Sequence, residues 1–196
     1  MNAAKKVFSQ NRALFCGAAV VWLAACVCGI VCTLRLDSEV FEDVRTYVLS
    51  TLTSGASVWE IVKLGISENL RFLICLLITS YAALLMPLTA ALIAFKGFAT
   101  GFTASVIIRI YRLKGMLISF GAVVLPFAFS MPLYFMMFVA ALKFPLQKKR
   151  ERMPLSPSEK RHQWLSYAAM QLVLTALISA ITVAEAFLMQ LVLVVL

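Results

Sequence analysis

"AFKGFATGFTASVIIRIYRLKG", residues 94–115, is the stretch whose interpretation decides the fold. An apolar run ends at Lys96, two glycines follow with three residues between them, and Arg109, Arg112 and Lys114 come before the next apolar run. A helix needs about 20 mostly apolar residues to cross a bilayer, and the uncharged part of this stretch is shorter than that. The stretch therefore either crosses a membrane as a short helix or re-enters it from one side.

The composition around this stretch is that of a membrane protein. The chain has 196 residues, of which 62% are hydrophobic and 14% charged, whereas soluble domains contain about 45–50% apolar and about 25% charged residues. Residues 13–34, 72–95 and 115–142 contain no charge, and Glu185 is the only charge in 164–196. The first run is longer than the apolar core of a signal peptide, so we expect a retained helix. The sequence predicts an all-α integral membrane protein.

The charge distribution predicts the orientation of the chain. Residues 1–12 contain basic but no acidic residues, residues 143–161 are strongly basic, and residues 35–71 have an acidic excess. Cytoplasmic loops collect Lys and Arg, so the first two segments are expected inside and the third outside. An even number of crossings must then separate 35–71 from 143–161. A re-entrant stretch would instead put the basic loop outside, so we favour a short crossing helix at 97–113.

These expectations give about five transmembrane helices in one membrane domain of a multi-pass membrane protein, with the C-terminus outside the cytoplasm. The predicted order is a cytoplasmic N-terminus (1–12), helix 13–34, an extracytoplasmic amphipathic segment (35–70), helices 71–95, 97–113 and 115–143, a basic cytoplasmic loop (144–163) and helix 164–196. Pro87, Pro126 and Pro132 lie inside predicted spans. Since proline removes a backbone donor, we expect kinked or broken helices there.

Five residues are candidates for helix packing or partner docking. Gly97 and Gly101 form a G-x-x-x-G pattern, which favours close helix packing in lipid. Arg109 and Arg112 lie on one side of the same helix and are predicted to reach the lipid head groups, with a salt bridge to the acidic segment as the alternative. Glu185 lies in the middle of an apolar run, where a charge costs about 2.5–3.5 kcal/mol on insertion scales. It is either a functional carboxylate or a protonated side chain bonded to a neighbouring helix.

The remaining patterns exclude most enzyme classes. The sequence has no nucleophile elbow, no glycine-rich phosphate loop and no H-E-x-x-H, and its single histidine, His162, lies in the basic loop. The five cysteines lie in apolar runs and are interpreted as small apolar side chains. We therefore predict no catalytic residue, no metal site, no cofactor and no small-molecule substrate. The basic charge is assigned to orientation and anionic membrane lipids, not to nucleic acid.

The segment "LIAFKGFATGFTASVIIRIYRLKGMLISFGAVVLP", residues 92–126, resembles a motif of the stage II sporulation protein M family of endospore-forming bacteria. The similarity lies in its lysine-glycine-x-x-x-glycine-phenylalanine-threonine core, the following lysine-glycine and the final leucine-proline. Glu185 and Ala186 resemble that family's glutamate-alanine pair in the last span. The chain departs from the family at Phe127 and Ala128, where polar residues are expected.

The resemblance implies a location in the bacterial cell membrane and a non-catalytic function in endospore formation. Such proteins act during engulfment of the forespore as membrane scaffolds for two cell-wall-degrading partners, the lytic sporulation proteins D and P. The alternative is a small permease subunit with a polar site at its broken helices. A membrane enzyme is the least favoured interpretation.

Overall fold

The computed structural model describes residues 12–53, 58–81, 83–150 and 157–195, and within these ranges the chain is helical without strands. The six α-helices of the described ranges are α1 (Arg12–Leu34), α2 (Ser38–Thr53), α3 (Val58–Thr79), α4 (Met86–Ser119), α5 (Leu125–Arg150) and α6 (Pro157–Val195). A 3-10 turn (Ala83–Leu85) precedes α4, and a π-helical turn (Phe120–Val124) joins α4 to α5. The all-helical class is confirmed.

Among the described residues, four helices are long and apolar enough to cross a membrane. They cover Arg12–Leu34, Met86–Ser119, Leu125–Pro145 and Ser158–Phe187. Large apolar side chains are exposed on these helices, among them Leu23, Phe95, Leu117 and Val173. Water disfavours such surfaces, whereas lipid tails do not. The integral membrane character is therefore supported, while the predicted number of five spans exceeds the four that meet this criterion.

The second predicted span, over 71–95, is divided between two helices. α3 ends at Thr79, and α4 begins at Met86. Pro87 consequently lies in the first turn of α4, where a proline costs nothing because that N–H has no intrahelical partner. It therefore starts a helix here and does not kink one. The first half of α3, which contains Trp59, was expected in the amphipathic external segment.

The predicted short helix 97–113 lies inside α4, which extends beyond it at both ends. Arg112 has φ 52° and ψ −124°, so the helical conformation is broken there. A Cβ added to Gly115 would meet the backbone of Ile107 and Ile108. In a straight helix residues 107 and 115 would be about 12 Å apart, so the chain must turn back between them. This turn lies at the boundary predicted between 97–113 and 115–143.

Three other expectations are modified. Part of the predicted basic loop, 144–163, is helical, since α5 continues to Arg150 and α6 begins at Pro157; residues 151–156 lie outside the described residues, as do 1–11. Pro132 lies inside α5, which the structure describes as one helix. The predicted external segment, 35–70, is divided among the described residues between α2 and the first part of α3.

The helices pack around one apolar core, with α1 and α4 parallel and α3 and α6 antiparallel. α3 runs against α6, since Ser80 bonds Tyr167 at one end and Asn69 bonds Thr182 towards the other. The core contains buried side chains from α1, α3, α4, α5 and α6, including Leu76, Ile93, Phe138 and Ile178. This packing encloses the polar side chains described next.

Candidate functional site: a polar cavity among four helices

A cavity of about 460 Å³ lies among α3, α4, α5 and α6, including the π-helical turn before α5. Its wall is unusually polar for the interior of a membrane bundle. The polar lining side chains are Glu68, Asn69, Lys96, Thr100, Thr103, Ser130, Tyr134, Thr182 and Glu185. Polar and ionisable side chains inside a membrane domain are costly and mark functional sites by default.

Lys96 is the cation of this cavity. Its Nζ lies 5.4 Å from the ring centroids of both Phe72 and Tyr134, a distance at which aromatic faces attract a cation. Glu68 and Glu185 add a favourable electrostatic interaction through space. No direct ion pair joins Lys96 to either carboxylate among the described side chains. The ammonium is therefore held by two rings on one side and by the field of two carboxylates.

A hydrogen-bond network fixes the polar wall beside Lys96. Tyr134 donates its hydroxyl to Asn69 Oδ1 at 2.9 Å. The Asn69 amide nitrogen donates to Thr182 Oγ1 at 3.1 Å and lies 3.5 Å from the Ser179 hydroxyl. Asn69 is buried. Moving an amide from water into an apolar medium without hydrogen-bond partners costs about 2–7 kcal/mol. The network therefore connects α3, α5 and α6 in one defined arrangement.

Glu185 lies on the wall of the same cavity, half-buried in α6. Of the five residues predicted as candidates, it is the one that the structure places in the cavity. Its neighbour Ala186 is buried and also lines the cavity. Thr182, one helical turn earlier, lies on the same side of α6 and receives the Asn69 hydrogen bond. The carboxylate is thus part of a polar face that α6 presents to the cavity.

Gly97 and Gly101 lie outside the cavity and contact α1. A Cβ at Gly97 would meet the Trp22 carbonyl oxygen, and a Cβ at Gly101 would meet the Cys26 backbone. Gly29 of α1 completes the contact, since a Cβ there would meet the backbone of Phe98 and Phe102. The glycines therefore allow the backbones of α1 and α4 to approach closely, as the pattern predicts.

The two arginines lie apart from the cavity and differ from each other. Arg109 donates to the Thr33 carbonyl oxygen at 2.7 Å, and its guanidinium lies 3.9 Å from the Phe41 ring centroid. A cation at a helix C-terminus is favourable because the last carbonyls lack helical partners. Arg109 thus ties the end of α1 to α2, by a backbone bond and a ring contact in place of a salt bridge. Arg112 is exposed at the non-helical position in α4.

Several cavity residues were not among the predicted candidates. Lys96 had a visible signal, because it is a charge next to a long apolar run. Glu68 and Asn69 were assigned to the end of an external segment, and Tyr134 had no pattern that distinguished it from other membrane aromatics. Their shared site depends on the position of α3 beside α6, which no local pattern encodes.

The cavity has the chemistry of a charge-binding site. It offers one ammonium, two carboxylates, and hydroxyl and amide groups from four helices. Within the described ranges no three His, Cys, Asp or Glu side chains converge in a way that would hold a metal ion. Comparison with protein-family models, with curated proteins and with solved structures finds no match to this chain.

Proposed function

We propose that this chain is a non-catalytic membrane scaffold that organises peptidoglycan-degrading partners during forespore engulfment. The resemblance of residues 92–126 to stage II sporulation protein M motivates the proposal. The structural observation that carries it is α2, a helix with an exposed acidic side, Glu39 and Asp43, anchored to the bundle through Phe41. A helix fixed to the end of a membrane domain, with charged side chains free of the bundle, is suited to docking soluble or membrane-anchored partners.

The proposed topology has five spans, with the N-terminus in the cytoplasm and the C-terminus outside, and α3 is the second span. Two observations support α3 in this role. It lies antiparallel to α6 from Asn69 to its end, and Ser158–Phe187 of α6 has the length and hydropathy of a span. A reporter fused after Leu196 is expected to be active on the outer face, and cytosolic activity would contradict this topology.

The partner proposal is tested by co-purification from sporulating cells with the lytic sporulation proteins D and P. Deletion of residues 37–68 would remove α2, but it would also remove residues of α3 that line the cavity. The substitutions that test partner binding are therefore confined to α2. Glu39→Lys combined with Asp43→Lys reverses two exposed charges there. We expect loss of both partners. Glu159→Lys, an exposed acidic position in the first turn of α6, is the matched control and should retain them.

A second test addresses the cellular function. Deletion of the chain in its host, followed by membrane-dye microscopy of sporulating cells, is expected to show arrested engulfment. Complementation with the α2 double variant should fail, whereas the Glu159→Lys control should restore engulfment. Normal engulfment after deletion would contradict the scaffold proposal directly.

The alternative is a small permease subunit, and the cavity is the observation that favours it. Broken or irregular helices near the bilayer centre frame binding sites in transporters, and the π-helical turn Phe120–Val124 contains the cavity-lining Val123 and lies next to Pro126. Proteoliposome flux that is reduced by Glu185→Gln would support transport. Flux that is unchanged by Glu185→Gln, or absent for every solute tested, would argue against it.

A further inference from the structure

The three ionisable groups of the cavity do not neutralise one another in pairs. Two carboxylates, Glu68 and Glu185, share the wall with one ammonium, Lys96, and neither is joined to it by a direct ion pair among the described residues. Charges beside an apolar bundle normally have partners, so a bound molecule that supplied a partner to the carboxylates and another to the ammonium would be stabilised here.

Three hydroxyl groups of the wall have already used their donor hydrogens. Thr100 donates to the Lys96 carbonyl at 2.8 Å, and Thr182 donates to the Ile178 carbonyl at 3.1 Å. The Ser130 hydroxyl lies within 3.3 Å of the carbonyl oxygens of residues 126 and 127. A hydroxyl has one donor and two acceptor sites, so these three groups present only acceptors to a ligand. Together with the carboxylates they favour a ligand rich in N–H donors.

Lys96 supplies the complementary half of the recognition. Its ammonium has three donor hydrogens, and one side of it faces the rings of Phe72 and Tyr134. No hydrogen bond from this ammonium to a described side chain or carbonyl is present. An anionic group in the cavity would therefore find a desolvated cation that is already positioned by two rings.

We propose that the cavity binds a small zwitterion that carries a primary ammonium and an anionic group. Glu185 and Glu68 receive the ammonium, and Lys96 binds the carboxylate or phosphate. The volume of about 460 Å³ falls in the usual range for small ligands, about 300–1,000 Å³. A phosphoethanolamine lipid head group and a free amino acid both carry this chemistry. The site is independent of the scaffold function and would stand without it.

The proposal makes a sharp distinction between two closely related head groups. A trimethylammonium group carries the same charge as a primary ammonium but has no N–H donor, so it cannot satisfy the acceptors on Glu185 and the wall hydroxyls. Glycerophosphoethanolamine should therefore bind more tightly than glycerophosphocholine. Since a hydrogen bond to a charged group contributes about 1.5–3 kcal/mol, the expected difference is about 10- to 100-fold.

The experiment uses the full chain in two arms. In the soluble arm, calorimetry on detergent-purified protein measures glycine, glycerophosphoethanolamine and glycerophosphocholine. In the lipid arm, native mass spectrometry counts retained phosphatidylethanolamine and phosphatidylcholine after release from mixed nanodiscs. Saturable binding of a primary-ammonium ligand in either arm supports the proposal. The arm in which binding is seen shows whether the ligand is a soluble molecule or a lipid head group. Absence of binding in both arms, or equal binding of the trimethyl form, overturns it.

The variants separate the cavity from the rest of the protein. Lys96→Met and Glu185→Gln keep the side-chain size and are each expected to weaken binding about 10- to 100-fold. Lys63→Met is the matched control, because Lys63 also lies over an aromatic ring, 5.5 Å from Trp59, but outside the cavity. If Lys96→Met or Glu185→Gln fails to fold, Glu68→Gln tests the same cavity at an exposed position. Equal loss in Lys63→Met, or full binding in Lys96→Met, overturns the proposal.

Discussion

The contact between α1 and α4 makes the stability of Gly101→Ala a direct test of the packing. A Cβ at this position would lie 2.8 Å from the Cys26 carbonyl carbon and 2.9 Å from its Cα, and still closer to the carbonyl oxygen. All three are backbone atoms of α1, so no flexible side chain can move away. Ordinary Cβ contacts begin near 3.4 Å, and α1 must therefore shift as a whole helix.

The magnitude follows from two opposing terms. Over-packing a tight contact costs about 1–3 kcal/mol, while replacing glycine with alanine inside a helix stabilises by about 0.5–1 kcal/mol. The Gly101→Ala variant should therefore lose about 1 kcal/mol in the free energy of unfolding, and about 2.5 kcal/mol at most. Gly97→Ala should behave similarly, because its Cβ would meet the Trp22 carbonyl oxygen and lie 3.0 Å from the indole Cδ1.

The assay is reversible unfolding of the purified chain in mixed micelles, followed by far-ultraviolet circular dichroism. The control is Gly17→Ala on α1, since a Cβ at Gly17 has no neighbouring atom within 4 Å. That variant experiences only the helix-propensity term and should gain about 0.5–1 kcal/mol. If Gly101→Ala proves as stable as Gly17→Ala, the two helices are not in backbone contact and the proposed packing is refuted.

Three further predictions concern single side chains. Arg109→Met removes the bond to the α1 carbonyl and the contact with Phe41, so amide exchange in α2 should accelerate in mass-spectrometric measurements; unchanged exchange would show that α2 is held otherwise. Tyr134→Phe leaves the buried Asn69 oxygen without its donor and should lower the unfolding free energy by about 1–3 kcal/mol, whereas an unchanged value would contradict the network. Arg112→Gly should raise the unfolding free energy by about 1 kcal/mol because φ 52° is unfavourable for arginine; a lower stability would refute that strain.

The sequence predicted the features that depend on local composition. Long apolar runs indicate the helical membrane class, and the cluster Arg109–Lys114 marks the region in which the helical conformation breaks. The end of α3 at Thr79 had no such signal. Residues 72–95 are uncharged throughout, and hydropathy alone does not distinguish one long helix from two helices joined by a turn. Pro87 was the only local marker, and a proline is compatible with either a kink or a helix start.

The position of α3 also explains why most of the cavity could not be predicted. In the sequence, Glu68 and Asn69 come directly before the predicted span 71–95, which places their side chains outside the membrane domain. In the structure the turn follows Thr79, so both residues belong to a helix that packs beside α6, where Asn69 bonds Thr182. A shift of one helix boundary therefore converts an apparent external segment into the wall of a polar site.

The two faces of α4 account for the mixed character of residues 94–115. At about 100° per residue, Gly97 and Gly101 lie about 40° apart on the side that contacts α1. Lys96, Thr100 and Thr103 point away from that side and line the cavity. The glycines bring α1 close to one side of α4 and leave the polar side free to face the cavity that α3, α5 and α6 border. Close packing on one side and a charge-binding cavity on the other therefore arise from the same helix.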